Sequence, residues 1–341
     1  MKKKTFITLA AVCMAVTANA TILRVSNVEG SSAPYSTIQA AVDAANAGDT
    51  IMVDGSNTVY DKTEITRKLV LIGPGFWINE NGLVDEAAPT AKATFLIKRA
   101  AEGTVIEGFS TPGTGGIQIQ INADNCVIRR CNINGSTSYG IRFGRDNYND
   151  DYLVSGAVIH QNFFNNSMLQ GSTTSVLAPS NIQVTNNIFI DKTGDFEIEY
   201  LRSSFIAYNT ILGYVDYETH GNGHFHHIYS STIENNIIRV QSVFYNSTTD
   251  KDNNEWSNNY IASALLDGDG EEVHKTFKTD KDIRDAELKV TGGNNYGAFA
   301  GDSPYVLSGI PAAPVIQDLV MPTTVEKGKK MNVTIKVGIQ K

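Results

Sequence analysis

Gln183-Val184-Thr185-Asn186-Asn187-Ile188-Phe189 is one copy of a recurring phrase, and the recurrence specifies the fold. Other copies are Val127-Ile128-Arg129-Arg130-Cys131-Asn132-Ile133, Val158-Ile159-His160-Gln161-Asn162-Phe163-Phe164 and Phe205-Ile206-Ala207-Tyr208-Asn209-Thr210-Ile211. Two more follow, Thr232-Ile233-Glu234-Asn235-Asn236-Ile237-Ile238 and Glu255-Trp256-Ser257-Asn258-Asn259-Tyr260-Ile261, and successive copies lie 22 to 31 residues apart. In each, a large apolar residue is followed three places on by Asn (Cys in one copy) and five places on by Ile or Phe. An earlier copy, Val105-Ile106-Glu107-Gly108-Phe109, carries Phe at the third place. Periods of roughly 20 to 50 residues mark solenoids, propellers or arrays.

The unit has no helical pattern of useful length. Its short β-branched and aromatic runs, broken by Asn, Gly, Ser and Asp, read as strands joined by turns. A second strand is expected about eight residues upstream of several copies, at Ser175-Val176-Leu177, Phe196 to Tyr200 and His224 to His227. Gly116 to Ile121 and Gly140 to Phe143 extend that series. Two or three strands per turn of 22 to 27 residues describe an all-β parallel β-helix. Roughly 320 mature residues are no obstacle, since solenoids grow along one axis.

The repeated Asn has a physical reason in that fold. A sharp turn between strands leaves backbone groups pointing inward, where they must be paired. Asn tolerates left-handed backbone and offers both a donor and an acceptor. Stacked coil on coil, Asn162, Asn187, Asn209, Asn236 and Asn259 should form a ladder in the core.

The N-terminus reads as a signal peptide, residues 1–20: Lys2, Lys3 and Lys4, then the apolar Phe6 to Val16, then Ala18-Asn19-Ala20 as a cleavage site. The apolar run is shorter than the ~20 residues a membrane span needs, so no span is expected after cleavage. The expected location is secreted, at the cell surface or in the periplasm. Cleavage takes the net charge from −8 to −11 (25 basic against 36 acidic residues). Such a chain carries no basic stripe for nucleic acid. Cys126 and Cys131 remain; secretion permits a bond between them, while their spacing within one phrase suggests small buried hydrophobes.

Ahead of the repeats, Ser36-Thr37-Ile38-Gln39 reads as a capping box opening a short helix ended by Gly48, with Ile38, Ala41, Val42 and Ala45 on one face. Tyr35 to Val42, followed by Ala47-Gly48-Asp49-Thr50-Ile51, resembles the N-terminal cap and first coil of secreted right-handed β-helix proteins of the pectate-lyase-like superfamily. That resemblance implies a right-handed parallel β-helix over 21–310 with an N-terminal capping helix, and a polysaccharide as partner of a monomeric protein. Tyr296 to Pro314 is similar to the C-terminal part of Bacteroidetes β-helix proteins. Asp302 to Pro322 reads as a linker, and 311–341 as a short tail with one strand near Val333 to Val337.

Chemistry is expected on an outward strand face. Aligning coils on Ile206 and Ile233 places Glu197 on His224 and Glu199 on His226, both facing out, with Arg202 level with Tyr229. Four of the six histidines lie between His220 and His227. Three readings stand side by side. Glu197, Glu199 and Arg202 resemble the Glu-x-Glu and basic residue of chondroitinase B-like and alginate lyases; that resemblance implies calcium on Glu197 and Glu199, and catalysis by Glu197, Glu199, Arg202, His224 and His226. No lysine follows Glu199, and Arg is a poor base, so His226 or Tyr229 would remove the proton. A transition-metal site of His220, His224, His226 and His227 with Glu199 is the second reading. The third is a set of cross-strand charge pairs on a solvated face. Tyr229, Tyr148 and Tyr152 are candidate sugar contacts, the last two in the acidic loop from Arg145 to Tyr152. No serine-hydrolase elbow, P-loop or dinucleotide fingerprint is present. The expected function is a carbohydrate-active or carbohydrate-binding β-helix, lyase-like on a uronate-containing glycan; the alternative is a non-catalytic surface β-helix that binds glycan or plays an adhesive role.

Overall fold

Each full phrase folds as a three-residue strand, one left-handed residue and a second strand of two or three residues; in one copy Gln183–Thr185 is followed by Asn186 at φ 55° and Ile188–Ile190. A computed structural model of the chain describes residues 20–83, 89–114, 116–135, 139–144, 153–171, 178–190, 197–212, 224–238, 253–261, 277–292, 295–311, 314–320 and 334–339. Among them three parallel sheets wrap one core, as a right-handed parallel β-helix requires. Sheet I has ten strands, from Ile22–Val25 to Glu255–Ser257. Sheet II has seven, from Thr63–Ile65 to Phe225–Tyr229, and sheet III six, from Asn132–Asn134 to Tyr260–Ile261.

Register explains why the apolar positions recur. In sheet I, Ile51, Leu71, Ile106, Ile128, Ile159, Val184, Ile206 and Ile233 stand in line, each fully buried. Sheet II contributes Phe95, Ile119, Ile141, Leu169, Ile198 and Phe225. Sheet III contributes Ile133, Phe164, Phe189 and Ile211, the two Phe rings stacked at 4.3 Å. Burial of one such side chain stabilises by about 1.5–3 kcal/mol. The strand ahead of the third phrase is Met168–Gln170; Ser175-Val176-Leu177, expected there, lies outside the described residues.

The asparagine ladder is present, with a division of labour that the sequence did not reveal. The left-handed residue is the one before it (Gln161, Asn186, Tyr208, Asn235, Asn258), and the ladder Asn points inward. Asn187 Oδ1 accepts from both the backbone N–H and the Nδ2 of Asn162, at 2.9 and 3.0 Å, while Asn187 Nδ2 donates to the Ile159 carbonyl at 2.8 Å. Asn209 repeats this on Asn187, Asn236 on Asn209, and Asn259 on Asn236. A second ladder of shorter side chains lines the corner between sheets II and I, where Ser204 Oγ accepts from Ile182 N, Ser231 Oγ from Ser204 N and Asn254 Oδ1 from Ser231 N.

The ends are closed differently. The capping helix spans Ile38–Ala44, with Ile38, Ala41 and Val42 buried. Its N-cap is Thr37, whose hydroxyl accepts from Ala40 N, and not Ser36; it stops at Ala45 and not Gly48. Gln39 is drawn from the capping box to the Glu64 backbone N–H at 2.8 Å. No linker begins at Asp302: residues 295–311 pack on the outer face of sheet III together with an unforeseen helix, Asp280–Thr291, so that Phe163, Ile188 and Ile237 are covered by Ile283, Ala298, Phe299 and Tyr305. A Cβ at Gly309 would run into the Arg130 carbonyl and the Phe76 ring. The tail is a two-stranded antiparallel pair, Pro314–Val320 with Thr334–Ile339, in place of a lone strand. Cys126 and Cys131 are free and buried, their thiols pushed up by burial to about 11 and about 12. No helix among the described residues is long and apolar enough to cross a membrane.

Buried acids fasten this C-terminal cover. Asp280 takes hydrogen bonds from Asn81 Nδ2, the Ser308 backbone and the Tyr305 hydroxyl at 2.7, 2.7 and 3.1 Å. Glu287 accepts from Thr210 Oγ1 at 2.6 Å and Phe299 N at 3.3 Å. Burial raises the Glu287 carboxyl from 4.5 to about 7, outweighing those two hydrogen bonds. His160, between Thr185 and Ser303, is lowered by burial and then by Arg130 and Arg129 to about 4.

Two outcomes follow from this architecture. Asn209→Ala removes a fully buried amide and leaves several backbone and side-chain partners unpaired, so urea denaturation should show a loss of about 2–4 kcal/mol. Glu287 sits above its unfolded value, so its contribution to stability is full below pH 4.5 and is lost as pH rises to about 7. His160, held below its unfolded value, slopes the opposite way. Glu287→Gln minus wild type therefore isolates Glu287: the difference should grow in favour of the variant across that window, by on the order of 3 kcal/mol, and a flat difference contradicts it.

Candidate active site

Sheet II carries the polar outer rows. Between the inward residues, one side chain per coil points outward, and the register aligns Glu64, Leu96, Gln120, Arg142, Gln170, Glu199 and His226. Five successive polar groups thus lie one coil apart, a spacing of about 4.8 Å. The last three are hydrogen-bonded along the row: Gln170 Nε2 donates to Glu199 Oε2 at 2.7 Å, and His226 Nδ1 meets Glu199 Oε1 at 2.8 Å. Arg142 sits 4.5 Å over the Tyr139 ring. Beside this row, Glu197 Oε2 meets His224 Nδ1 at 2.9 Å.

The pairs expected from the repeat are formed, but not on a solvated face. Glu197 and His224 keep 0 % and 1 % of their surface, Glu199 6 %. Only the His226 side chain, 13 % open, reaches the surface from these pairs. Glu199 is therefore fixed through both oxygens and holds an imidazole at the boundary with solvent. Glu197 and His224 stand behind that boundary, and Oε1 of Glu197 has no hydrogen-bond partner.

Arg202 does not share the Glu199 row. It is level with Tyr229, as expected, yet Tyr200 between Glu199 and Arg202 takes φ 55° and turns the chain. Arg202 is exposed and belongs to a row with Ser180 and Tyr229. Arg142 is the cation of the Glu199 row. It could have been found by carrying the alignment two coils back through Gly140-Ile141-Arg142-Phe143. Gln120 was within reach by the same step, and Gln170 lies on Met168–Gln170, a strand further from its phrase than those of the two following coils. Around the corner, Tyr200 stacks on His227 at 4.6 Å, and the Tyr229 hydroxyl bonds His227 Nδ1 at 2.8 Å. Tyr148, Tyr152 and His220 lie outside the described residues.

The calcium reading does not fit the donors. Calcium takes about 6–8 oxygens, whereas three of the four carboxylate oxygens of Glu197 and Glu199 already accept from the protein. Among the described residues no three His, Cys, Asp or Glu side chains group as a metal site.

No family model matches the chain, and no curated protein matches it either. Two solved structures are similar. The pectin methylesterase from Aspergillus niger, in deglycosylated form, is 12% identical over 73% of this chain and 83% of its own, with a TM-score of 0.39. The Escherichia coli protein YbhC is 15% identical over 76% of this chain and 79% of its own, with a TM-score of 0.32. Likeness at that level says nothing of chemistry.

If Glu197 and His224 form a closed pair, His224→Ala strands a buried carboxylate and should cost at least about 3 kcal/mol. Arg202→Ala should stay within about 0.5 kcal/mol. Equal small losses in urea denaturation would show that the pair is solvated after all.

Proposed function

We propose that this protein is a secreted, monomeric carbohydrate-active β-helix that cleaves a uronate-containing polysaccharide by β-elimination on the outer face of sheet II. The observation that carries the reading is the Gln170–Glu199–His226 chain, in which a carboxylate locked at both oxygens orients an imidazole at the surface. A positioned imidazole is the commonest general base. In this reading Nε2 of His226, opposite the Glu199 contact, takes the proton alpha to the uronate carboxylate. The electrons left behind form the ring double bond, the bond to the neighbouring sugar oxygen breaks, and that oxygen leaves with a proton from water. Arg142, three coils from His226 in the same row and so about 14 Å away, grips the carboxylate of another uronate further along the chain. Glu199 is a positioning residue, and Tyr229 contacts the sugar chain beside it. No step passes through calcium.

A second reading has its own support. The closed Glu197–His224 pair suits a rigid face that binds glycan without cutting it, or a surface β-helix with an adhesive role.

Incubation with alginate, polygalacturonate and chondroitin separates the two, followed by the absorbance of unsaturated products with and without a calcium chelator. The lyase reading expects product on at least one polymer, unchanged by the chelator. His226→Ala should lower kcat/KM by about 10²-fold or more, and Glu199→Gln should shift the pH profile of the remaining activity. Retained binding without product from any polymer would establish the non-catalytic reading instead.

A further inference from the structure

A groove of about 680 Å³ opens on a different side of the solenoid, at the N-terminal end of sheet III. Nothing in the proposed reaction uses it. Where the C-terminal cover stops, the outer face of sheet III changes from mostly apolar to polar: the outward row that reads Phe163, Ile188, Thr210 and Ile237 in later coils, with Thr210 bonded to Glu287 of the cover, begins with Asn132. The next outward positions are Asn134 and Asn165, and coils before the sheet add Ser110 and Lys92 through bridges to Asn132.

The polar wall is built and fixed. Asn165 Nδ2 donates to Asn134 Oδ1 at 3.2 Å, Asn134 Nδ2 donates to the Thr111 carbonyl at 3.0 Å, and Thr111 Oγ1 accepts from Asn134 N at 2.8 Å. Two acceptors on the lining are left over. Asn132 keeps only 6 % of its surface, yet its Oδ1 has no partner, and Thr90 Oγ1 has none either. A buried amide oxygen left without a donor costs free energy that a ligand hydroxyl would recover.

The opposite wall is aromatic. Trp77 is held edge-on between Phe76 at 5.2 Å and Phe163 at 4.8 Å, so its ring is a rigid plate. Its backbone takes φ 50°, which bulky residues seldom adopt. Amides and hydroxyls facing an aromatic plate match a sugar ring, with its rim of hydroxyls and its apolar face. Among the lining residues Lys92 and Glu80 are the charged ones, one of each sign, so the groove has no net charge to favour a polyanion.

We propose that this groove is a second binding site, for a neutral oligosaccharide, separate from the Glu199–His226 face. It would hold a neutral glycan while the outer face of sheet II acts on a uronate chain, and it does not depend on that activity.

The chain has two tryptophans, so Trp256→Phe leaves Trp77 as the reporter. Titration of this variant with cellohexaose, xylohexaose, mannohexaose and oligogalacturonate, followed by Trp fluorescence and by calorimetry, tests the assignment. The expected result is a saturable Trp77 shift with a neutral hexasaccharide and a weaker one with oligogalacturonate. Asn132→Ala should weaken binding about tenfold through the lost acceptor. Asn165→Ala, at a partly exposed position, should weaken it with the melting temperature preserved. Glu199→Gln should leave the shift untouched whatever becomes of turnover. Absence of a shift with every neutral sugar, tighter binding of oligogalacturonate, or binding indifferent to both Asn variants would overturn it.

Discussion

Coil-on-coil pairing of the buried asparagine amides is the interaction on which the rest of this molecule depends. Each strand is only two to five residues long in the three sheets beyond the first coils, too short to hold its place alone. The ladder supplies what the strands lack. Asn162, Asn187, Asn209, Asn236 and Asn259 pair the inward-pointing backbone at every turn between sheets I and III and connect each coil to the next. Because the amide must meet its neighbour at about 3 Å, the ladder also fixes register. Loops of different length can then be inserted elsewhere without disturbing which residues stack.

That fixed register makes one hydrogen-bonded face out of residues scattered along the chain. Glu199 and His226 are 27 positions apart in the chain and 2.8 Å apart in space. Gln170 is a further coil away and completes the chain of hydrogen bonds. The same geometry separates roles: residues two apart on a strand share a face, but a left-handed residue such as Tyr200 sends the next ones round a corner. Glu199 and Arg202 are therefore neighbours in sequence and belong to different rows. The C-terminal cover acts on sheet III in a similar way, closing its later coils and leaving its first ones as the polar groove beside Trp77.

Much of the fold was legible because its signal is periodic. The inward Ile and Phe positions and the asparagine ladder repeat with one pattern, and alignment of two copies was enough to pair Glu197 with His224 and Glu199 with His226. The Ser204–Ser231–Asn254 ladder was not legible, since different residue types do the same task there. Met168–Gln170 is not legible at a constant offset from its phrase, because the connections vary in length. Burial of Glu197 and His224 was beyond a coil-by-coil reading, because outwardness on a strand does not say what else covers that strand. The helix Asp280–Thr291 and the packing of 295–311 escaped for a related reason: their partners, Asn81, Thr210 and Asn235, are distant in sequence. Composition alone makes Asp302 to Pro322 look like a linker.

The central claim is that the row from Gln120 to His226 is where a polysaccharide is handled. The most direct measurement is a crystal structure of the His226→Ala protein with an oligouronate bound. The account predicts sugar density along the outer face of sheet II, with a carboxylate against Arg142 and the scissile linkage at the vacated imidazole position. Oligouronate density over another face, with the Gln170–Glu199 contact undisturbed and the row bare, would contradict it.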